Sequence, residues 1–268
     1  MAVVIYPLVV SGVCDDPYLD NGVIAWRDLF QGGAVTASSE TSDGSVLNAT
    51  DGTTNDYWVP SSMPAWTSVV YPSAQAADYL GIAAHTCGSR QITVICEALV
   101  DSAWIEIASV LPADDSPLML LFNETYAASW RVRFEGQVVP AIGVMMLGMS
   151  LTLPLRIYGG HTPITLGKTV ELMTNISLGG HLVGTTIRRT GAETEIALRH
   201  LPPAWVRSEF ADFQEHFNTG RGFFYAWRPM TFPKEIGYCW RRGDEIRPVN
   251  MGVRDLMECN LSVKAHIG

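Results

Sequence analysis

The chain is short of charge. Only 17% of its 268 residues are Asp, Glu, Lys or Arg, against roughly 25% in an ordinary soluble domain. Because 47% are apolar, this is not the low-hydropathy, high-charge composition of a disordered chain. Lysine is the scarcest charged residue, at Lys168, Lys234 and Lys264 only. With 18 basic against 27 acidic residues the net charge is -9, which leaves no electrostatic footprint for wrapping nucleic acid. The dibasic pairs Arg188-Arg189 and Arg241-Arg242 are too little to supply one. Cysteine is sparse as well: Cys14, Cys87, Cys96, Cys239 and Cys259 are odd in number, far apart and free of any C-x-x-C pair. A disulfide scaffold and a zinc ribbon are both excluded. No apolar run reaches the roughly 18 to 20 residues of a membrane-spanning helix, so membrane insertion is not expected.

Catalytic signatures are missing too. There is no G-x-S-x-G elbow and no H-E-x-x-H helix. The six histidines, at 85, 161, 181, 200, 216 and 266, lack metal-ligand spacing. Leu166-Gly167-Lys168-Thr169 resembles the tail of a phosphate-binding loop, but Thr162 stands where that loop needs its first glycine. It reads as a turn entering a strand at Val170 to Met173. No enzyme is expected.

What the sequence does contain is asymmetric. Residues 1–155 carry four arginines against sixteen acids, whereas residues 156–268 carry fourteen bases against eleven acids. So abrupt a change of sign suggests two units with different neighbours. In the first, Gln91 to Glu97, Ala103 to Ile107 and Ser129 to Glu135 alternate with period two and are rich in β-branched and aromatic residues. Such spacing indicates an antiparallel sandwich. Its polar loops, Thr36 to Thr54 and Pro112 to Ser116, are where binding residues tend to sit. Gly143 to Leu153, with two glycines and the following Pro154, reads as a last strand rather than a helix. The fold class expected is mainly β, in three segments. Residues 1–21 are an N-terminal strand, Val3 to Val10, and linker, with the strand expected to return and pair with the C-terminal unit. Residues 22–155 are the first β-sandwich, and residues 156–268 are a second β-sandwich carrying one helix at about 203–218.

That helix starts at Pro202-Pro203, carries Val206, Phe210, Phe213 and Phe217 on one stripe, and stops near Gly220. Around it, Leu178 to Arg188, Glu193 to Leu198, Gly222 to Trp227, Glu235 to Trp240 and Glu258 to His266 read as strands. Phe223-Phe224-Tyr225-Ala226-Trp227 cannot turn every ring to one side of a strand, so one face must meet another domain or subunit. In the first unit, Tyr57, Trp58, Trp66 and Tyr71 lie near polar loops. Exposed rings there could stack on sugar faces, while Trp58 is expected in the core.

Ala37-Ser38-Ser39-Glu40 followed by Asn48-Ala49-Thr50-Asp51-Gly52, with Trp58 closing the segment, resembles the opening of discoidin-like, galactose-binding-fold domains. The resemblance extends over about residues 22–155 and implies an eight-stranded jelly-roll sandwich. It also implies glycan binding or a contact role, with Tyr57, Trp66, Tyr71 and Arg131 as candidate sugar contacts. A structural calcium in the Asn48 to Asp56 loop would draw on Asp51 and Asp56. No other cofactor is implied.

The second unit, through Ala204 to Phe217, Gly222 to Pro229 and Gly237 to Trp240, is similar to minor tail proteins of long-tailed phages. That similarity implies a tail-tube-like sandwich and a distal tail, or baseplate, structural protein located in the virion. It would be made in the host cytoplasm without a signal peptide. Such a protein forms a homo-oligomeric ring, a hexamer by analogy, through Phe223, Phe224, Tyr225, Trp227 and Trp240. Its partners would be tail tube, tape measure and hub proteins, with a host glycan as an outward contact. The alternative is a carbohydrate-binding adhesion module that is not part of a virion.

Overall fold

The computed structural model describes residues 3–5, 20–157, 159, 161–252 and 255–268. Cys14 and residues 6–10 of the expected first strand lie outside them. In chain order the strands of the first part are β1 (Val3–Ile5), β2 (Val23–Ala25), β3 (Ala34–Ala37), β4 (Ala65–His85), β5 (Thr93–Val100), β6 (Ala103–Val110), β7 (Leu118–Glu135), β8 (Ile142–Gly148) and β9 (Ser150–Thr152). The second part adds β10 (Lys168–Ile176), β11 (Leu182–Leu201), α1 (Pro203–Ser208), α2 (Phe210–Asn218), β12 (Phe223–Ala226), β13 (Ile236–Arg241), β14 (Val249–Asn250) and β15 (Met257–His266). The molecule is mainly β, with antiparallel sheets. Among the described residues no helix is long and apolar enough to cross a membrane.

The first sandwich is built from two long strands that bend. β4 and β7 pair along their length, with register shifts near Val70–Gln75 and Ala77–Tyr79. At those shifts each strand leaves one layer for the other. One layer runs β3-β4-β7-β5-β6, and the other is made by β8, the later half of β4, the earlier half of β7, and β1. Between them lies a core of Val69, Leu80, Leu120, Val132, Phe134 and Leu147, with Trp58 fully buried at its edge. Trp58 meets Phe134 edge-on at 5.6 Å, and its Nε1 donates to the Ser39 carbonyl at 3.1 Å. The serines of the opening segment have similar duties: Ser38 Oγ accepts from Trp66 N and Ser39 Oγ from Ser61 N.

The second sheet, β10-β11-β15-β13-β12-β2-β9 with β14 beside β15, corrects the expected segment boundaries. β2 pairs with β12 and β9, so two short strands from the first 155 residues complete the second sheet. Apart from β1, the first sandwich is therefore inserted between Ala25 and Ser150. The early strand does not return to the C-terminal unit as expected. Val3–Ile5 instead lies parallel to Met119–Leu121, on the edge of β7 opposite β4. The last strand of the first unit is also divided: β8 stays in the first sheet, and after Met149 the chain crosses to the second as β9.

Each face of the second sheet has its own cover near the middle. On one side Phe223, Tyr225, Ile196, Leu198 and Val263 pack under Val206, Phe210, Phe213 and Phe217 of the helices. Phe213 meets Phe223 edge-on at 5.2 Å. On the other side Phe224, Tyr238 and Ile236 pack against Tyr79, Met119, Val144 and Met146 from the outer face of the first sandwich. Gly81 makes this approach possible, since a Cβ there would stand 2.5 Å from the Phe224 ring. The expected single helix is two, meeting at Glu209, whose amide still donates to the Trp205 carbonyl at 2.8 Å. Gly220, at φ 79°, ends the second in the left-handed conformation that glycine adopts without strain.

Two carboxyl groups are buried where the chain passes between sheets. Asp28 accepts from Phe30 N at 3.0 Å and Leu147 N at 3.3 Å, and desolvation pushes its pKa up to about 7. Asp78 accepts from the amide and hydroxyl of Ser150, and burial raises it to about 6.

Candidate functional site

The layer β3-β4-β7-β5-β6 covers the core with one face and turns the other away from the second sheet. Alternation decides what that outer face carries. Val132 and Phe134 point inward, so Arg131 and Arg133 point outward. Register places Ser68 opposite Arg131, Trp66 opposite Arg133, Glu97 opposite Arg131 on the other side, and Trp104 beside Leu99. Trp66, Arg131, Arg133, Glu97 and Trp104 thus share one patch.

At its centre Glu97 is 4% exposed, an acid that must be paired to be tolerated there. Its Oε2 accepts from Arg131 Nε at 2.6 Å and its Oε1 from Arg133 Nε at 3.0 Å. Arg133 also pairs with Glu135 through Nη1. The Arg131 guanidinium lies 4.3 Å from the Trp104 ring centroid, a cation–π distance. Both arginine side chains are about one-fifth exposed. Ser68 Oγ and Thr36 Oγ1, 2.9 Å apart, extend the polar row. Such a surface can bond hydroxyl or carboxylate oxygens through fixed N–H groups, while flanking indoles offer apolar area to a ring. It is not built for acid–base chemistry, because both oxygens of Glu97 are already engaged.

Of the four sugar contacts expected from the sequence, the structure brings together Trp66 and Arg131. Tyr57 is exposed in the loop before Trp58, where Asn48 Nδ2 donates to its carbonyl. Tyr71 does not present a platform. Its hydroxyl donates to the Leu29 carbonyl at 2.6 Å and its ring covers Gly32 and Gly33. Glu97, Arg133 and Trp104 were missed as site residues. The signal available was the alternation in Trp130 to Phe134, which already set Arg131 and Arg133 on one face.

Asp51 and Asp56, the calcium candidates, are engaged within their own loop. Asp51 caps the amide and hydroxyl of Thr53, and Asp56 accepts from Asn55. Among the described residues no three His, Cys, Asp or Glu side chains converge, whereas calcium asks for six to eight oxygens. The loop instead docks onto the second sheet, where Tyr238 Oη donates to the Gly52 carbonyl at 2.7 Å.

The aromatic assembly surface needs correction as well. Phe223, Phe224 and Tyr225 are each 0% exposed within the chain. Alternation sends Phe223 and Tyr225 under the helices and Phe224 against the first sandwich, so the second face meets another part of the same chain. Trp227 is half-buried and stacked on Phe232 at 5.5 Å. Trp240 is half-buried beside a cleft of about 810 Å³ that includes Glu193, Lys264 and His266.

No family model and no curated protein matches this sequence. Solved structures that resemble it cover less than half of it. A chitosan-binding module of a chitosanase/glucanase from Paenibacillus sp. IK-5 is 17% identical, over 46% of this chain and 98% of that one, with a TM-score of 0.39. A module of the Clostridium perfringens protein CpGH89, in complex with GalNAc-β-1,3-galactose, is 18% identical over 46% and 99%, with a TM-score of 0.40. A Ruminococcus gnavus GH29 fucosidase is 16% identical over 47% of this chain but only 27% of its own, also at 0.40. Two of these neighbours are carbohydrate-binding modules and the third is a fucosidase. At such scores the reading of this chain rests on its own geometry.

Proposed function

We propose that the protein is a non-catalytic carbohydrate-binding module whose site is the outer face of the first sandwich. The observation that carries this reading is the cluster at Glu97: one buried carboxylate holds two guanidinium groups in fixed orientation between Trp66 and Trp104. Pre-ordered donors beside aromatic area suit a pyranose ring, whose hydroxyls need directed partners and whose C–H face needs an apolar one. The tail-tip reading keeps no comparable support. The comparisons give no indication of a tail protein, and three of the five residues expected at its ring interface are core.

Titration calorimetry of the full chain against neutral and uronic-acid oligosaccharides tests the reading. Binding is expected for at least one class, with a loss of tenfold or more, about 1.4 kcal/mol, in Trp104→Ala and in Trp66→Ala. Binding that survives both substitutions would place the site elsewhere, and silence across both classes would reject the function.

A further inference from the structure

The hairpin of β10 and the first half of β11 gathers apolar residues on one face, and among the described residues it is covered on neither side. Register puts Leu172 opposite Ile187, Thr174 opposite Thr185 and Ile176 opposite Leu182 on one face, together with Val170. The other face carries Thr169, Glu171, Met173 and Asn175. Beyond Ala192 the apolar face becomes the helix-side core face, where Ala192, Ile196 and Leu198 are buried. Out in the hairpin it has no cover among the described residues: Val170, Leu172, Ile176, Leu182 and Ile187 are 50% to 67% exposed. A two-stranded ribbon needs further strands or a packed face to be stable in water, and an apolar sheet face is normally covered by another layer.

We infer that this face is an association surface whose occupant is the same face of a second copy of the chain. The exposed apolar area there is on the order of 500 Å², toward the upper end of the largest single patch on a typical monomer. With Leu178 and Val183 near the tip it approaches the ~800 Å² that each partner gives a standard interface. Stacking two such faces about a two-fold axis makes an isologous contact of packed sheets. The charges allow it, because Glu171 is paired with Arg188 at 3.0 Å and belongs to the opposite face, so no carboxylate meets its copy. A lipid surface suits the hairpin less well. Among the described residues the outer edge of β10 is unpaired and β11 pairs with β15 only from Ala192 onward, so two rows of backbone groups would enter hydrocarbon unsatisfied. Joined copies would also carry two sheet-face sites on one particle. That consequence rests on the carbohydrate reading, whereas the association does not.

Sedimentation equilibrium of the full chain decides the matter. A dimer mass is expected at about 100 µM, far above the Kd of an interface of this size. The double substitution Leu172→Asp, Ile187→Asp should give a monomer whose melting temperature matches that of wild type diluted below its dissociation constant. Met173→Ser, on the opposite face, should remain dimeric. A wild-type monomer at that concentration overturns the inference, as does a dimer that the double substitution leaves intact. Wild-type monomer that floats with phosphatidylcholine vesicles would assign the face to lipid instead.

Discussion

One strand, β11, lives in two environments. In its second half Ile196 and Leu198 are 0% and 3% exposed under the helices, while in its first half Leu182 and Ile187 are 67% and 61% exposed on the same face. The residue types are alike, and register shifts at Val183 and Arg188 in the first half keep Leu182 and Ile187 on that face. What differs is the cover: two short helices on one stretch, nothing from the described residues on the other. Alternation therefore specifies which face of a strand is apolar, not what lies against it.

The largest effect should come from breaking the covered half. Phe213→Ala removes a ring that touches Phe210, Phe217 and Phe223 and should cost about 3 to 5 kcal/mol in urea unfolding. Ile187→Ala in the uncovered half should change monomer stability by no more than about 0.5 kcal/mol. Similar losses at both sites would erase the distinction.

A second contrast sets the paired acid of the site against the acids of the seam. Glu97→Ala leaves Arg131 and Arg133 without their shared partner, and a loss of about 2 kcal/mol together with any sugar affinity is expected. Asp28 should behave in the opposite way, because burial makes its charged form unwelcome. With its pKa raised from the ordinary 3.8 to about 7, the folded state binds more protons than the unfolded state between those values. Its contribution is complete below about pH 4 and is lost as pH rises through 7. Asp28→Asn should therefore stabilise the protein at pH 8, by about 1 to 2 kcal/mol, and flatten the decline between pH 5 and 8 in thermal melts. A variant less stable than wild type at pH 8 would mean that the carboxylate, not the acid, holds Phe30 and Leu147.

Much of the framework was legible because it repeats. The period-two strands around Arg131 and the helical stripe from Val206 to Phe217 follow from patterns longer than one turn or one pleat, and the buried Trp58 follows from its residue type. The crossing of β2 and β9 into the second sheet was not legible, since three residues carry no period and their partners lie more than seventy residues away. Nor was the break at Glu209, where the apolar spacing continues without interruption. At the site, Arg131 and Trp66 could be chosen from residue type and position. Glu97 could not, because an acid in an alternating strand reads as solvent-facing until its two arginines are seen beside it.

Hydrogen exchange along β11, followed at low and high protein concentration, tests the central contrast most directly. Amides from Thr194 to Leu198 should be protected to the same degree at both concentrations, because their cover is intramolecular. Amides from Val183 to Ile187 should exchange rapidly in dilute protein and gain at least about tenfold protection at roughly 100 µM, where a second copy covers them. Arm protection that is independent of concentration would contradict the account.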